Sequence, residues 1–370
     1  MLEVADVFQR HGAEYLQKYG SRMPPSHHRA FEDILNCRTP ALGGHIYACD
    51  YCDHQVYSYH SCKNRSCPKC YGGQTELWLE KRRKELLPVE YFHVVFTIPQ
   101  ELRPYVRSRQ KIIYGILMKA AGRSLIKLAA DPHYVGGRIG VMAVLHTWSR
   151  TLDYHPHVHC LVPGGGVSPN RQWLEARENY LVPVKALSRI FRGMVRGMLA
   201  KELPEVKTPE SVWKNNWTVY CKPSVQGADK VLNYLGRYVH RIAIANSRIL
   251  SIDNGKVSFR YQNSRDQQWK TMKLDAEEFI RRFLQHVLPR GIHKVRYYGL
   301  WHPSNRDTLR SLQIILSIDK DQPVLLSPPD EPSLETAFNI SLSEGRPCPH
   351  CGRGVLLYQD VIYRQKKKPP

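Results

Sequence analysis

"DYHPHVHCLVPGGG", residues 153–166, is the stretch from which the rest of the chain is read. Histidines occupy the alternate positions 155, 157 and 159. Side chains at i, i+2 and i+4 of a strand share a face. A strand here sets three imidazoles on one side and Val158 and Cys160 on the other. Pro156 cannot donate to a β-ladder, which puts His155 at the strand's start or on an edge and leaves His157-Val158-His159 as the ordered pair. A lone strand histidine usually has a structural role. Two that flank one apolar residue, beside a third, point to a metal. Two neutral imidazoles leave most of a coordination shell open to phosphate oxygens, and a metal so held is a Lewis acid for phosphoryl transfer. "GRIGVMAVLHTW" (137–148) is a second apolar strand, joined to the first by a short polar turn, so the two form a hairpin. His146 on that partner strand can face the pair and is the candidate third ligand. Gly164 to Gly166 read as a loop.

Working outward, "EYFHVVFTIP" (90–99) and "NNWTVYCKPS" (215–224) read as further strands. "QTELWLEKRRKELL" (74–87) is an amphipathic helix stopped by Pro88. Helical spacing resumes over 105–130, and "GADKVLNYLGRYVHRIAIAN" (227–246) predicts another helix. "SRILSIDNGKVSFRY" (247–261) is a hairpin turning at Asn254-Gly255. A helix over 275–288 and a strand near "HKVRYYGL" (293–300) follow. Antiparallel strands interleaved with helices give an α+β fold. The chain divides into an N-terminal helical segment (1–30), a cysteine module (31–88), a catalytic region (89–250), an extension of it (251–325) and a C-terminal tail (326–370).

The chain has no apolar run long enough to span a bilayer, and its charged, amphipathic N-terminus is not a secretory signal. The expected compartment is a reducing bacterial cytoplasm, at the nucleoid, where the ten cysteines read as metal ligands or free thiols before disulfides. "CDYC" (49–52) and "CPKC" (67–70) are two short knuckles. Cys49, Cys52, Cys67 and Cys70 at that spacing can close a tetrahedron around a structural zinc. Cys37, His45, His60 and Cys62 share the window and could supply a second, interleaved site; His54 is a weaker candidate. "CPHC" (348–351) is a third knuckle with no evident partner pair. Cys160 and Cys221 lie in apolar strand sequence and read as core residues.

The formal charge of +21, from 54 basic and 33 acidic side chains, suits a polyanionic partner, with nucleic acid first. Lys63 and Arg65, between the knuckles, suit DNA phosphates. "YLGRY" sets Tyr234 and Tyr238 at i and i+4, on one face of the 227–246 helix. Such a pair usually packs. Here Arg237, Arg241 and His240 surround it with cations. A tyrosine is a feeble nucleophile at its ordinary pKa of about 10. Nearby cations favour its ionised form, and a metal would polarise the phosphorus it attacks.

Together these residues resemble one family. "YHPHVHCLVPGGG" resembles the HUH motif (His, hydrophobic, His) of single-strand DNA endonucleases. "YLGRYVHRIAIANSRI" is similar to the two-tyrosine nucleophile helix of rolling-circle transposases, and "CDYC…SCKNRSCPKC" to the zinc module of the insertion-sequence-91 family among them. "YFHVVFTIPQELRP", "VLHTW" and "FIRRFLQHVLPRGIHKVRYYGL" are similar to that family too, so the resemblance runs from about residue 30 to 310. It implies an HUH-endonuclease-like antiparallel sheet flanked by helices, preceded by a small zinc-binding domain. It implies Mg²⁺ or Mn²⁺ on His157 and His159, and a 5′-phosphotyrosine intermediate in nicking and rejoining single-stranded DNA at element ends and target. A membrane partner and a small-molecule substrate are not expected. Three alternatives stand beside it. A histidine-triad hydrolase would use "HPHVHCLV" alone. A plasmid replication initiator or relaxase would share the chemistry. A zinc-dependent DNA-binding regulator would use only the cysteines and the charge.

Overall fold

The computed structural model describes residues 1–70, 72–223, 236, 242–263, 266–319 and 346–365. Its strands are β1 (Gly44–Cys49), β2 (Gln55–Tyr59), β3 (Tyr91–Thr97), β4 (Gly140–Trp148), β5 (Tyr154–Pro163), β6 (Gly165–Val167), β7 (Trp173–Glu175), β8 (Val219–Pro223), β9 (Ile249–Asp253), β10 (Lys256–Gln262), β11 (Trp269–Asp275), β12 (Val295–Gly299), β13 (Arg346–Pro347) and β14 (Val355–Ile362). The main helices are α1 (Val4–Tyr19), α2 (Pro25–Asn36), α3 (Gly72–Arg83), α4 (Gln110–Ala129), α5 (Val184–Glu202), α6 (Ala276–Leu284) and α7 (Arg306–Asp319). The α+β expectation holds.

At the centre is a five-stranded antiparallel sheet in the order β12-β4-β5-β3-β8. Alternation along β5 sends Val158, Cys160 and Val162 into an apolar core with Val94, Phe96 and Phe191, roofed by α4 and α5. The other face packs at one end against a separate apolar cluster. There Tyr91, Met142 and Leu161 meet Leu300, Trp301 and the α7 residues Leu309, Leu312 and Leu316. The histidines lie at the opposite end of that face. Pro156 stands inside a central strand, where an unmade ladder bond would be costly. The chain removes the conflict locally. β3 ends its pairing at His157, and the β4 register shifts between His146 and Trp148, so a bulge faces the proline.

A second core joins α1 and α2 to α6 and to the three-stranded sheet β11-β10-β9, through Val7, Phe8, Phe31, Phe259, Phe279 and Phe283. The hairpin turn is at Asn254 (φ 49°) and Gly255 (φ 70°), both left-handed as a two-residue turn requires. The sequence reading missed β11. It also placed 1–30 apart from 251–325, whereas their apolar faces bury one another.

The third sheet, β13-β14-β1-β2, corrects another division. β14 lies antiparallel along β1, from Gly44 opposite Ile362 to Cys49 opposite Leu356. Residues 346–362 are therefore not a separate tail but half of the cysteine module. Gly164 to Gly166 are not a plain loop either. Gly165–Val167 pairs with β7, and a Cβ on Gly166 would stand 2.9 Å from the Gly137 carbonyl carbon. The expected 227–246 helix falls mostly outside the described residues.

Candidate metal centre

Strand register builds the centre. His146 on β4 is directly opposite His157 on β5, and His159 follows on the same face. The donor nitrogens of His146, His157 and His159 all lie within 4.8 Å of one another. His146, the third ligand expected from hairpin geometry, lies in this cluster. His155 is not part of the cluster; its Nδ1 accepts from Arg103 Nη2 at 2.7 Å.

Neighbouring groups set the tautomers. The Nδ1 of His157 is 2.6 Å from the carbonyl of His155. A carbonyl only accepts, so Nδ1 carries the proton and Nε2 presents its lone pair. The Nδ1 of His159 is 2.9 Å from Nε2 of His93, on β3. With the proton on that Nδ1, His93 accepts and the Nε2 of His159 turns to the cluster. Ligating histidines are oriented by such partners. His93 was not singled out in the sequence, although a histidine inside the apolar run "YFHVVFT" was a signal for it. Burial lowers the pKa of His157 and of His93 to about 4 and holds His159 well below its usual value, with further lowering at His159 from His157, His93 and Lys294. The rings are thus neutral near pH 7, the form that ligates a metal.

Trp148 continues the site. Its ring stacks on His146 with centroids 4.8 Å apart, and the Lys294 ammonium sits 4.8 Å over it. Beside it opens a cavity of about 320 Å³ whose walls include Trp78, Trp148, Ile242, Ala243, His286 and Lys294. The expected nucleophiles Tyr234 and Tyr238, with Arg237 and Arg241, lie outside the described residues. Gly236, midway between the tyrosines, is described and buried, and a Cβ there would stand 2.5 Å from Leu79 Cδ2 of α3.

The cysteines form two tetrads, not the sets expected. Cys37, Cys62, Cys67 and Cys70 make one; Cys49, Cys52, Cys348 and Cys351 make the other, each with all sulfurs within 4.8 Å. Cys49 and Cys52 do not join Cys67 and Cys70, because the β1–β14 ladder carries the first knuckle to the C-terminal one. The Sγ separations are 3.4 Å for Cys37–Cys70 and Cys62–Cys70, 3.7 Å for Cys49–Cys351 and 3.8 Å for Cys52–Cys348. Four sulfurs at about 2.3 Å from a shared zinc stand about 3.8 Å apart, so both sets fit that ion. His45 and His60 belong to neither tetrad; their Nε2 atoms face each other at 3.2 Å. Lys63 is exposed, as a phosphate contact must be. Arg65 is committed within the protein, donating to the carbonyls of Leu288, Pro289 and Ile292 at 2.6–2.8 Å.

Residues 7–98 match the family described as "Transposase zinc-binding domain", and residues 140–308 match the family described as "Putative transposase". The chain is 39% identical to the "Putative transposase y4qJ" of Sinorhizobium fredii, over 97% of this chain and 95% of that protein. The chain belongs to the IS91-family transposases, with an N-terminal zinc-binding domain. The transposase is also 29% identical to the "Transposase for insertion sequence element IS801" of Pseudomonas savastanoi pv. phaseolicola, over 72% of this chain and 68% of that one. No solved structure matches it. Among its described residues no helix is long and apolar enough to cross a membrane.

Proposed function

We propose that this transposase nicks and rejoins single-stranded DNA at its element's ends by tyrosine attack. The observation that carries the proposal is the convergence of His146, His157 and His159 on one sheet face, beside the cavity that Trp148 and Lys294 line. Three nitrogens leave the remaining positions of a coordination shell to phosphate and water oxygens, the ligands that Mg²⁺ and Mn²⁺ favour. Bound there, such a cation would supply Lewis acidity to the scissile phosphate. The residues of the chain do the rest. His93 and the His155 carbonyl hold the imidazoles in their ligating tautomers. Lys294, beside the cluster, favours the anionic strand. Tyr234 or Tyr238 attacks phosphorus: the tyrosine Oη–P bond forms, the P–O3′ bond breaks, and the 3′ oxygen leaves as a hydroxyl once protonated. The phosphotyrosine conserves the bond energy for rejoining, and the second tyrosine makes the next cut. The tetrads carry zinc and have a structural role.

The test is a denaturing gel of labelled single-stranded DNA from the element ends, incubated with Mg²⁺ and the wild type, Tyr234→Phe, Tyr238→Phe or both changes. A protein–DNA adduct in the wild type, absent from the double variant, is expected. Cleavage without adduct would make water the nucleophile. DNA binding with neither cleavage nor adduct would favour a zinc-dependent regulator.

A further inference from the structure

Among the described residues, the sheet β13-β14-β1-β2 has no apolar core. None of its strands contributes to the three hydrophobic clusters of the described residues. Tyr57, Leu357 and Tyr358 are 51%, 54% and 58% exposed. A small sheet without a buried face is marginal at best. This one also joins strands from the two ends of the chain, whose closure costs entropy. Something other than apolar burial must hold it.

We propose that a zinc ion on Cys49, Cys52, Cys348 and Cys351 is the clasp, tying the C-terminal segment 346–362 to the N-terminal module. Cys348 and Cys351 lie outside both stretches that match transposase families, 7–98 and 140–308. The local structure is that of two opposed metal knuckles. Each gives two sulfurs, and sulfur–sulfur separations of 3.7 and 3.8 Å are those of a tetrahedron and far from a disulfide bond. Backbone N–H groups of Tyr51 and Gly354 point at Cys49 Sγ and Cys351 Sγ, each at 3.4 Å, as donors to thiolate sulfur. The knuckles are pinned to each other. The Asp50 carboxylate accepts from the Val355 N–H at 2.8 Å, and the Asp50 N–H donates to the Val355 carbonyl at 3.1 Å. Gly354 passes so close to Cys49 Sγ that a Cβ would collide with it. Four soft thiolates select zinc over Mg²⁺ and fill its shell, which leaves no position for substrate.

The other tetrad is differently placed. Cys37 and Cys67 are buried in the core shared by α1, α2 and α6. Loss of the clasp should therefore free only the coreless sheet. Loss of the core-embedded tetrad should loosen the helices around it.

The experiment uses the full chain loaded with Co²⁺, because thiolate-to-cobalt charge transfer counts cysteine sites and ignores the histidine centre. Cys348→Ser with Cys351→Ser should halve that absorption. Hydrogen exchange should then accelerate in 44–49, 55–59 and 355–362, with β3, β4 and β5 unchanged. Cys49→Ser with Cys52→Ser should reproduce both effects. The proposal is overturned if the Cys348/Cys351 variant keeps the full absorption. It is equally overturned if absorption halves while 355–362 stays protected, or if the unreduced protein carries a disulfide among these four cysteines. DNA nicking is not a readout, so the outcome is separate from the fate of the tyrosine mechanism.

Discussion

The five-stranded sheet and the four-stranded sheet are both antiparallel, yet opposite kinds of force hold them. In the first, Val94, Phe96, Val144, Val158 and Cys160 are shut away from water, and burial of that surface orders the strands. In the second, exposed tyrosines and a leucine lie on strands that join no hydrophobic cluster of the described residues, and the proposed source of order is the cysteine tetrad. The difference shows a division of labour. The platform has to hold the proposed metal-binding histidines in order, and apolar burial does so without an ion. The cysteine sheet has no such duty and can depend on its ion.

The comparison can be broken most sharply at Phe96. Its ring is fully buried and packs 4.7 Å from Phe191. Phe96→Ala should cost about 3–5 kcal/mol of stability, read by denaturant unfolding. A loss under about 1 kcal/mol would mean that apolar packing is not what holds the platform.

A smaller effect is expected at His93, which reaches the proposed metal centre through His159. Removing such a partner typically weakens metal affinity or activity about 10–100-fold. His93→Ala should show that loss in a Mn²⁺ titration of the nicking rate while keeping the wild-type fold. His93→Gln, which retains an acceptor, should recover part of it. Equal affinity in wild type and His93→Ala would reduce His93 to filler.

The same contrast explains what the sequence made legible. The hairpin of β4 and β5 is local, so period-two alternation and a short turn sufficed to set His146 opposite His157. Asn254-Gly255 was legible for the same reason. The tetrads were not. Spacing proposes that neighbouring knuckles share an ion, but the β1–β14 ladder joins residues about 300 positions apart, and nothing in "CPHC" alone names its partner. Arg65 misled because a basic residue among metal ligands looks like a phosphate contact until the carbonyls it holds are seen. His93 was hidden by reading "YFHVVFT" only for its apolar content.

The smallest prediction tests the coreless sheet itself. Leu357, on β14 opposite Ala48, is an apolar side chain more than half exposed. In the central sheet, truncating a leucine to alanine would leave a cavity and cost about 2–5 kcal/mol. Here there is no enclosed volume to empty, and a surface substitution away from special features stays within about 0.5 kcal/mol. Leu357→Ala should therefore leave unfolding midpoint and hydrogen exchange of 355–362 near wild type, although Cys351, six residues earlier, governs the same strand. If Leu357→Ala instead released the strand as fully as loss of the cysteines, apolar contact would be holding the sheet, and the ion would be its passenger.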